Sequence, residues 1–283
     1  MTGGPTVSIV IPAYNEERTI RACVAATLEQ TVPADEIIVV NNKSTDNTAA
    51  MLDALATEFP DAPLRVIDQD DEQGITPTRN AGFNAATSEV IGRIDSDSIL
   101  EPEWVAEVKN VFSDETVGAA TGPMIYYDMP LRRFGARADD NVRRALLKLT
   151  KEYHFVFGSN MAIRASAWRD VRDHVCNDAD REMHEDVDLG IHLFDRGHKI
   201  VYAPKMVSGM SARRLDANPL DYLRYVRRWE KTYDHHKIFN PALRAPMVVF
   251  SAVYPVGKLV RQQFLKQLEK DGIQVVGPSA WSG

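Results

Sequence analysis

Two carboxylates one residue apart, Asp95 and Asp97, directly follow the apolar run Val90–Ile94. Such a run predicts a buried strand, so both carboxylates would lie at the carboxyl end of that strand. Carboxylate oxygens suit Mg²⁺ and Mn²⁺, and such a cation can hold a diphosphate and stabilise it as a leaving group. The same spacing also occurs in ordinary surface turns. The preceding buried strand and the polar segment around Arg79 favour the metal site over the turn.

A second group of acidic residues, Glu185, Asp186 and Asp188, begins a predicted helix. Acidic side chains at a helix N-terminus are favourable for the helix dipole, which is one explanation for this group. The alternative is catalytic, because a carboxylate within hydrogen-bond reach of a hydroxyl can act as a general base. The residues alone leave both explanations open.

Strand and helix patterns alternate through the first half of the chain. Near-continuous apolar strands that alternate with helices indicate an α/β fold, in which a mostly parallel central sheet is flanked by helices. Predicted strands are 7–11, 37–40, 64–67, 90–94, 117–125 and 199–203. Predicted helices are 16–30, 44–59, 77–86, 103–112, 131–151, 187–196, 219–237 and 258–270.

Polar and aromatic residues collect where these strands end. Ligands of an open parallel sheet bind beyond the carboxyl ends of its strands. The ring of Tyr14, after the first strand, could stack on a base, and the guanidinium of Arg79 could pair with a phosphate. This sheet edge is therefore the predicted nucleotide site.

Composition excludes several classes of protein. The 283 residues carry a formal net charge of -7, which argues against a general nucleic-acid binder. Two cysteines, Cys23 and Cys176, are too few for a disulfide framework or a thiolate zinc site, and favour a reducing compartment. No signal-peptide pattern and no apolar run of about 18–20 residues is present, so we expect a cytoplasmic protein.

The charge is unevenly distributed along the chain. Residues 205–270 contain 13 basic and 5 acidic side chains, whereas the remainder contains 20 basic and 35 acidic side chains. This asymmetry predicts an anionic partner for the C-terminal quarter. Arg213 and Arg214 are candidate phosphate contacts, because guanidinium groups suit phosphate geometry. The alternative is that these charges only solvate helix faces.

Five motifs in order along the chain resemble a known family: VSIVIPAYNE (7–16), IVVNNKSTD (38–46), TRNAG (78–82), DSD (95–97) and ED (185–186). The set closely resembles the family 2 glycosyltransferases, which are inverting enzymes of the Rossmann-like GT-A fold. The resemblance extends over about residues 7–203. It implies a nucleotide-diphosphate sugar donor, a Mg²⁺ or Mn²⁺ ion and direct displacement at the anomeric carbon.

Matching positions receive roles from this resemblance. The implied nucleotide-binding set comprises Pro12, Tyr14, Glu16, Asn41, Asn42, Arg79 and Asp95. Asp95 and Asp97 would contact the metal, and Asp186 would deprotonate the acceptor hydroxyl. Asn41-Asn42 stands where the family commonly has Asp-Asp or Asp-Asn, so no preference for one base follows.

A second departure from the family concerns histidine. Many relatives have a metal-binding His where this chain reads Val207-Ser-Gly-Met-Ser211, without one. The later pair His235-His236 is an alternative ligand, although adjacent histidines on a polar helix are more often solvated.

The C-terminal region suggests a surface role. We divide the chain into a GT-A catalytic domain, 1–210, and a basic helical extension packed on it, 211–283. Within the extension, residues 245–270 combine an apolar stretch with a basic amphipathic helix that carries Lys258, Arg261, Lys266 and Lys270. Such a segment suits peripheral contact with an anionic membrane, at its inner face, and a lipid-linked acceptor. Packing on the catalytic domain or across a homodimer is the alternative.

The leading hypothesis is thus a glycosyltransferase that uses a UDP- or GDP-sugar. Its acceptor would be a glycan, a small molecule or a lipid-linked precursor of the cell envelope. Two other hypotheses remain open, a nucleotidyltransferase and a catalytically silent sugar-nucleotide-binding protein.

Overall fold

Ten strands and nine helices make up the described part of the chain, residues 4–130, 132–150 and 155–272 of the computed structural model. The strands are β1 Val7–Ala13, β2 Glu36–Asn41, β3 Leu64–Asp68, β4 Val90–Ile94, β5 Ile99–Leu100, β6 Val117–Thr121, β7 Met124–Tyr126, β8 Asn160–Arg164, β9 Lys199–Tyr202 and β10 Ser208–Met210. The helices are α1 Ile20–Leu28, α2 Thr48–Glu58, α3 Ile75–Ala85, α4 Trp104–Val111, α5 Arg132–Leu149, α6 Ala165–Val171, α7 Glu185–Asp195, α8 Pro219–His235 and α9 Pro241–Lys270. A short 3₁₀ helix spans Arg213–Asp216.

The central sheet has the strand order β3-β2-β1-β4-β8-β6-β9. All its neighbouring strands are parallel except β8, which runs antiparallel to β4 and β6. The chain passes from β1 outward to β3 and returns to place β4 on the other side of β1. The strand order therefore reverses between β1 and β4, and the loops after these two strands flank the position where open α/β sheets bind ligands.

Helices cover both faces of this sheet. Along β1, Ile9 and Ile11 face the cluster that contains α1, α2 and α4, whereas Val10 faces the cluster that contains α3, α6 and α7. Alternate strand residues point to opposite faces, so a fully apolar strand needs cover on both. At Gly82 in α3, an added Cβ would lie 2.3 Å from Val10 Cγ1. This glycine lets α3 pack directly on the sheet.

The fold confirms the predicted α/β class with a mostly parallel central sheet and a C-terminal helix. It differs locally from the predicted elements. The strand predicted at 117–125 is two strands, because β7 leaves the central sheet after Gly122-Pro123 and joins β5 and β10 in a second sheet. The strand β8 was not predicted. Of the predicted helix 131–151, positions 131 and 151 lie outside the described residues.

The last predicted helix, 258–270, is the second half of a longer one. α9 continues through Pro246 and Pro255 for 30 residues. It is the one helix of the described chain that is long and apolar enough to span a membrane. Its best 18-residue window has mean hydropathy 1.3, and 11% of that window is buried. The apolar stretch of the sequence ends at Lys258, so the sequence did not predict a membrane-spanning helix.

Buried polar contacts attach the C-terminal region to the rest of the chain. Asp128 accepts hydrogen bonds from Ser211 Oγ at 2.6 Å and from the backbone N–H of Ala212 at 2.7 Å. Its carboxylate also pairs with Arg261 of α9 at 2.7 Å. The boundary between 210 and 211 stays a prediction, and residues 273–283 lie outside the described part.

Candidate active site

Arg213 joins two buried carboxylates at the switch between β1 and β4. Glu16, in the loop after β1, pairs with two guanidinium nitrogens of Arg213, one of them at 2.9 Å. Arg213 Nε lies 3.0 Å from Asp97 Oδ2 in the loop after β4. The carboxylates are 10% and 5% exposed, whereas the arginine side chain is 51% exposed. A solvent-facing cation is thus held over two carboxylates from neighbouring strand ends.

The turn after β4 fixes Asp95 and Asp97. The backbone N–H of Asp95 donates to Ser98 Oγ at 3.2 Å, and the N–H of Ser98 donates to the carbonyl of Asp95 at 2.9 Å. Tyr127 donates its hydroxyl to the carbonyl of Asp97 at 2.8 Å. Burial and the negative charges of Asp95 and Glu16 raise the pKa of Asp97 to about 7, against the opposing effect of Arg213. Burial raises the pKa of Asp95 as well.

These carboxylates fit a divalent cation. Asp95 and Asp97 are oxygen donors only, which suits Mg²⁺ or Mn²⁺ and not a softer metal. The raised pKa of Asp97 reflects a burial cost that a positive charge offsets, and Arg213 supplies that charge in this structure. The residues at the predicted metal site therefore match the chemistry of the expected ion.

A chain of ion pairs connects this edge to the start of α7. The buried Glu185 carboxylate contacts Arg79 NH1 at 2.5 Å through one oxygen and Arg93 NH1 at 2.8 Å through the other. Arg93 in turn lies 3.2 Å from Asp95 Oδ1. Arg79 also donates to the carbonyl of Glu185 at 2.8 Å. The two acidic motifs of the sequence are thus parts of one network, with Arg93 between them.

Asp186, the predicted base, lies beside this network and is half-buried. Its Oδ2 accepts the N–H of Gly158 at 2.9 Å and its Oδ1 accepts the N–H of Val187 at 2.9 Å. Burial and the neighbouring Glu185 raise the pKa of Asp186 to about 6, although Gly158 and Arg93 act in the opposite direction. With this pKa the Asp186 carboxylate is mostly ionised at neutral pH. Its affinity for a proton is nevertheless higher than that of an exposed aspartate, as a general base requires.

Gly158 is needed for this arrangement. An added Cβ at Gly158 would lie 1.5 Å from Arg93 NH1. A side chain there would displace the arginine that holds Glu185, and would also move the N–H that binds Asp186. Gly158 lies two residues before β8, so the loop that contacts Asp186 continues directly into that strand.

Two of the predicted nucleotide contacts, Arg79 and Asn42, have partners within the protein. Arg79 is completely buried on Glu185 and Asn80, so in this arrangement its guanidinium cannot reach a nucleotide. The Asn42 side chain donates both N–H groups to the carbonyls of Gln69 and Glu72, and its Oδ1 accepts from the backbone N–H of Gly74, which leaves one lone pair of Oδ1 for a nucleotide base. The sequence does not reveal these partners because they depend on a loop between β3 and α3.

Among the other predicted nucleotide contacts, Tyr14 and Arg214 are exposed. The Asn41 side chain donates its Nδ2–H to Asp68 Oδ1 at 2.9 Å, and its amide oxygen, Oδ1, is buried without a partner. Tyr14 is 46% exposed, and Pro12 is buried in β1 beside it. Arg214 is exposed, with its guanidinium 4.4 Å from the ring centre of Tyr225.

Two histidines, His236 and His184, pack against residues of α7 and α8. His236 Nε2 lies 2.7 Å from Asp188 Oδ1, so it is a buried partner of α7 and not a solvated side chain. His184, immediately before α7, packs between Tyr225 and Trp229. Burial lowers the pKa of His184 to about 4, so its imidazole is neutral at pH 7.

Sequence reasoning missed Arg93 and the partner of His236. Arg93 lies within an apolar strand and was not assigned a role from the sequence. An arginine in such a strand nevertheless indicates that a buried carboxylate faces it. Asp188 and His236 are 48 residues apart, and nothing in the local pattern pairs them.

Comparison with known proteins shows the family of this chain. A family model described as glycosyl transferase family 2 matches residues 8–172, more than half of the chain. Glycosyltransferase GlyG of Streptococcus pneumoniae is 30% identical over 122 residues, which are 43% of this chain and 40% of GlyG. The chain therefore spans less than half the length of this relative.

Two solved structures share the fold. One is the mannosyltransferase PcManGT from Pyrobaculum calidifontis in complex with GDP-Man and Mn²⁺, with TM-score 0.67 and 20% identity over 96% of this chain and 77% of that one. The other is Staphylococcus aureus TarS 1–349 in complex with UDP-GlcNAc, with TM-score 0.57 and 16% identity over 97% of this chain and 82% of that one. At these identities the likeness shows the fold, which is the GT-A fold.

Proposed function

The chain belongs to glycosyl transferase family 2, and from this premise we propose that it moves a sugar from a nucleotide-diphosphate sugar to an acceptor hydroxyl with inversion. The observation that carries the proposal is the position of Asp186. Its carboxylate has a pKa of about 6 and adjoins Glu185. Arg93 contacts both Glu185 and Asp95, one of the two proposed metal ligands. The proposed base thus lies beside the ion pairs that lead to the proposed cation site.

Asp186 is the proposed general base. It accepts the proton of the acceptor hydroxyl as that oxygen attacks the anomeric carbon, and the bond from this carbon to the diphosphate breaks. Gly158 and Val187 hold the carboxylate in place through their backbone N–H groups. A single displacement needs no second nucleophile and inverts the configuration of the anomeric carbon.

Asp95 and Asp97 would hold Mg²⁺ or Mn²⁺. When bound, the ion would neutralise charge on the departing diphosphate. Arg213 and Arg214 lie exposed beside this edge and are proposed to contact the phosphates. Positioning and electrostatic stabilisation would then supply most of the rate enhancement.

Asn41 is the proposed contact for the nucleotide base of the donor. Its unpaired buried Oδ1 would accept an N–H, and uracil, guanine and thymine each offer one on the ring. The proposed donors, UDP- and GDP-sugars, are therefore to be tested beside a dTDP-sugar. The two structural neighbours are complexes with one donor of each type.

A thermal-shift screen of UDP-, GDP- and dTDP-sugars with Mn²⁺ tests this assignment. At 100 times its dissociation constant a bound donor adds about 2.7 kcal/mol of stability, which raises Tm by several degrees. We expect a UDP- or GDP-sugar to give this shift, and Asp97→Asn to lose it. Asp61→Asn, at an exposed position, is the control and should keep it. An unchanged shift in Asp97→Asn would contradict the metal site.

We propose further that α9 rests on an anionic membrane surface, at its cytoplasmic face. Apolar side chains of α9 are exposed at Val248, Val249, Phe250, Val253, Val256 and Leu259. Lys266 and Lys270 continue the exposed surface in the last turns of the helix. An apolar face beside basic residues suits a membrane with anionic lipids and would bring a lipid-linked acceptor of the cell envelope to the site.

The contacts of α9 favour a helix that lies on the membrane over one that spans it. Tyr254 stacks on Tyr222 of α8 with ring centres 4.1 Å apart. Arg261 is buried on Asp128 and Asp216, and Lys258 donates to the carbonyl of Ala217 at 2.7 Å. Two of the four basic residues expected on the membrane-facing side are therefore used within the protein.

Flotation with vesicles tests this surface. The protein should float with vesicles that contain phosphatidylglycerol and much less with pure phosphatidylcholine vesicles. The double change Val253→Asp and Val256→Asp should abolish flotation, because it places two charges on the apolar face. Val142→Asp on α5, also at an exposed valine, should leave it unchanged. Failure of the wild type to float, or self-association through this face in gel filtration, would favour a homodimer instead.

A further inference from the structure

Four side chains with metal-binding atoms meet beside α7, apart from the acidic pair after β4. They are Cys176, Asp188, His192 and His236, and one ligand atom from each lies within 4.8 Å of the others. None of them takes part in the transfer reaction proposed above. The cluster is largely buried, with Asp188 2%, His236 12% and His192 18% exposed at the side chain.

Three segments of the chain build this cluster. Asp188 and His192 are four residues apart on α7, so they lie on one face of that helix. Cys176 comes from the segment between α6 and α7, and its backbone N–H donates to Asp188 Oδ2 at 2.9 Å. His236 is the C-terminal cap residue of α8. The central carboxylate thus holds a cysteine and a histidine from two other segments.

The polar atoms of the cluster are incompletely satisfied. His192 Nε2 is buried and makes no hydrogen bond, although it lies 3.4 Å from Asp188 Oδ1. His236 Nε2 approaches the same oxygen at 2.7 Å. Cys176 forms no disulfide, and its Sγ lies 3.5 Å from His235 Nε2. A buried imidazole nitrogen without a partner is costly, and a cation at the centre of the four atoms would satisfy it.

We propose that Cys176, Asp188, His192 and His236 bind a zinc ion, in a mixed site that needs one thiolate and that the cysteine count alone did not predict. One thiolate, one carboxylate and two imidazoles are the ligand types of tetrahedral Zn²⁺ sites, whereas Mg²⁺ prefers oxygen ligands alone. The two negative ligands balance the charge of the ion, so the buried site is neutral. Binding releases the thiol proton to solvent and replaces the hydrogen bond between His236 and Asp188 by coordination.

Four protein ligands leave no open position, so the ion is structural. It would join the segment that contains Cys176, the helix α7 and the end of α8. Asp188 is two residues after Asp186, and residues two apart in a helix point to nearly opposite sides. The ion would therefore stabilise the helix that presents Asp186 without contacting substrate.

Metal content and stability of the full chain test the proposal. Protein purified without chelators should contain about one zinc per chain. Cys176→Ser and His236→Ala should each weaken zinc binding by more than about 100-fold. Mutation of residues that only hydrogen-bond to metal ligands already lowers metal affinity by about 10- to 100-fold. His198→Ala is the matched control, because His198 also pairs with an aspartate, Asp170 at 2.9 Å, but lies outside the cluster.

The metal-free wild type keeps the test independent of whether the variants fold. Zn²⁺ should raise its Tm and Mg²⁺ should not. Co²⁺ should produce the visible absorption of tetrahedral cobalt together with a thiolate charge-transfer band, and Cys176→Ser should lose that band. Absence of zinc after purification, combined with no Tm rise and no cobalt absorption in the metal-free protein, would overturn the proposal. The cluster would then be only hydrogen-bonded.

Discussion

Asp186→Asn is expected to lower kcat by about 10²- to 10⁴-fold, because a carboxamide cannot accept the proton of the acceptor hydroxyl. The substitution preserves shape, so the thermal shift that the donor produces should survive. Sugar transfer, or donor hydrolysis with water as acceptor, measures the loss. Glu182→Gln, at an exposed acidic residue shortly before α7, is the control and should retain wild-type turnover.

The pH dependence of the wild type checks the same role. The pKa of Asp186 is raised to about 6, and only its ionised form can act as a base. The reaction rate should therefore increase as the pH rises through about 6 and then level off. Near-normal turnover in folded Asp186→Asn, or a rate that falls over this pH range, would remove Asp186 from the mechanism.

Glu185→Ala is expected to produce the largest loss of stability, about 3–5 kcal/mol. The change leaves Arg79 and Arg93 buried without the carboxylate that both contact. Uncompensated buried charges cost more than the removed contacts alone would suggest. Urea unfolding followed by circular dichroism measures the free energy of unfolding. Glu58→Ala is the control, because its pair with Arg21 is exposed and should contribute less than about 1 kcal/mol.

The two glutamate variants together test the network. If Glu185→Ala destabilised the protein no more than Glu58→Ala, the buried ion pairs would not hold α7 against β4. In that case no stabilising ion pairs would connect the helix that carries Asp186 to the loop that carries Asp95 and Asp97. The expected difference of several kcal/mol exceeds the uncertainty of an extrapolated free energy of unfolding.

The sequence predicted the sheet edge well because local patterns determine it. Apolar runs define the strands, and the residues after β1 and β4 follow from where those runs stop. The amino-acid pattern alone therefore suffices to place Glu16, Asp95 and Asp97 together. Asp186 followed from the position of an acidic pair at a helix start, together with the family resemblance.

Long-range partners could not be predicted in this way. Arg79 and Glu185 are 106 residues apart, so the interpretation of Arg79 as a nucleotide contact missed its buried partner. His236 was expected to be solvated because the polar sequence of α8 says nothing about what packs on it. The predicted helix covered only 258–270, whereas α9 runs from Pro241 to Lys270 and includes Pro246 and Pro255, since helix propensity is weaker than tertiary packing.

Proton NMR of an α-linked UDP- or GDP-sugar incubated with the protein and Mg²⁺ tests the central claim most directly. The donor should be the one that gives a thermal shift. We predict that it is consumed only when Mg²⁺ is present, that the β-configured sugar appears first, and that Asp97→Asn and Asp186→Asn both stop the reaction. Release of the α-configured sugar, consumption that survives chelation of the metal, or binding without any consumption would contradict an inverting, metal-dependent glycosyltransferase.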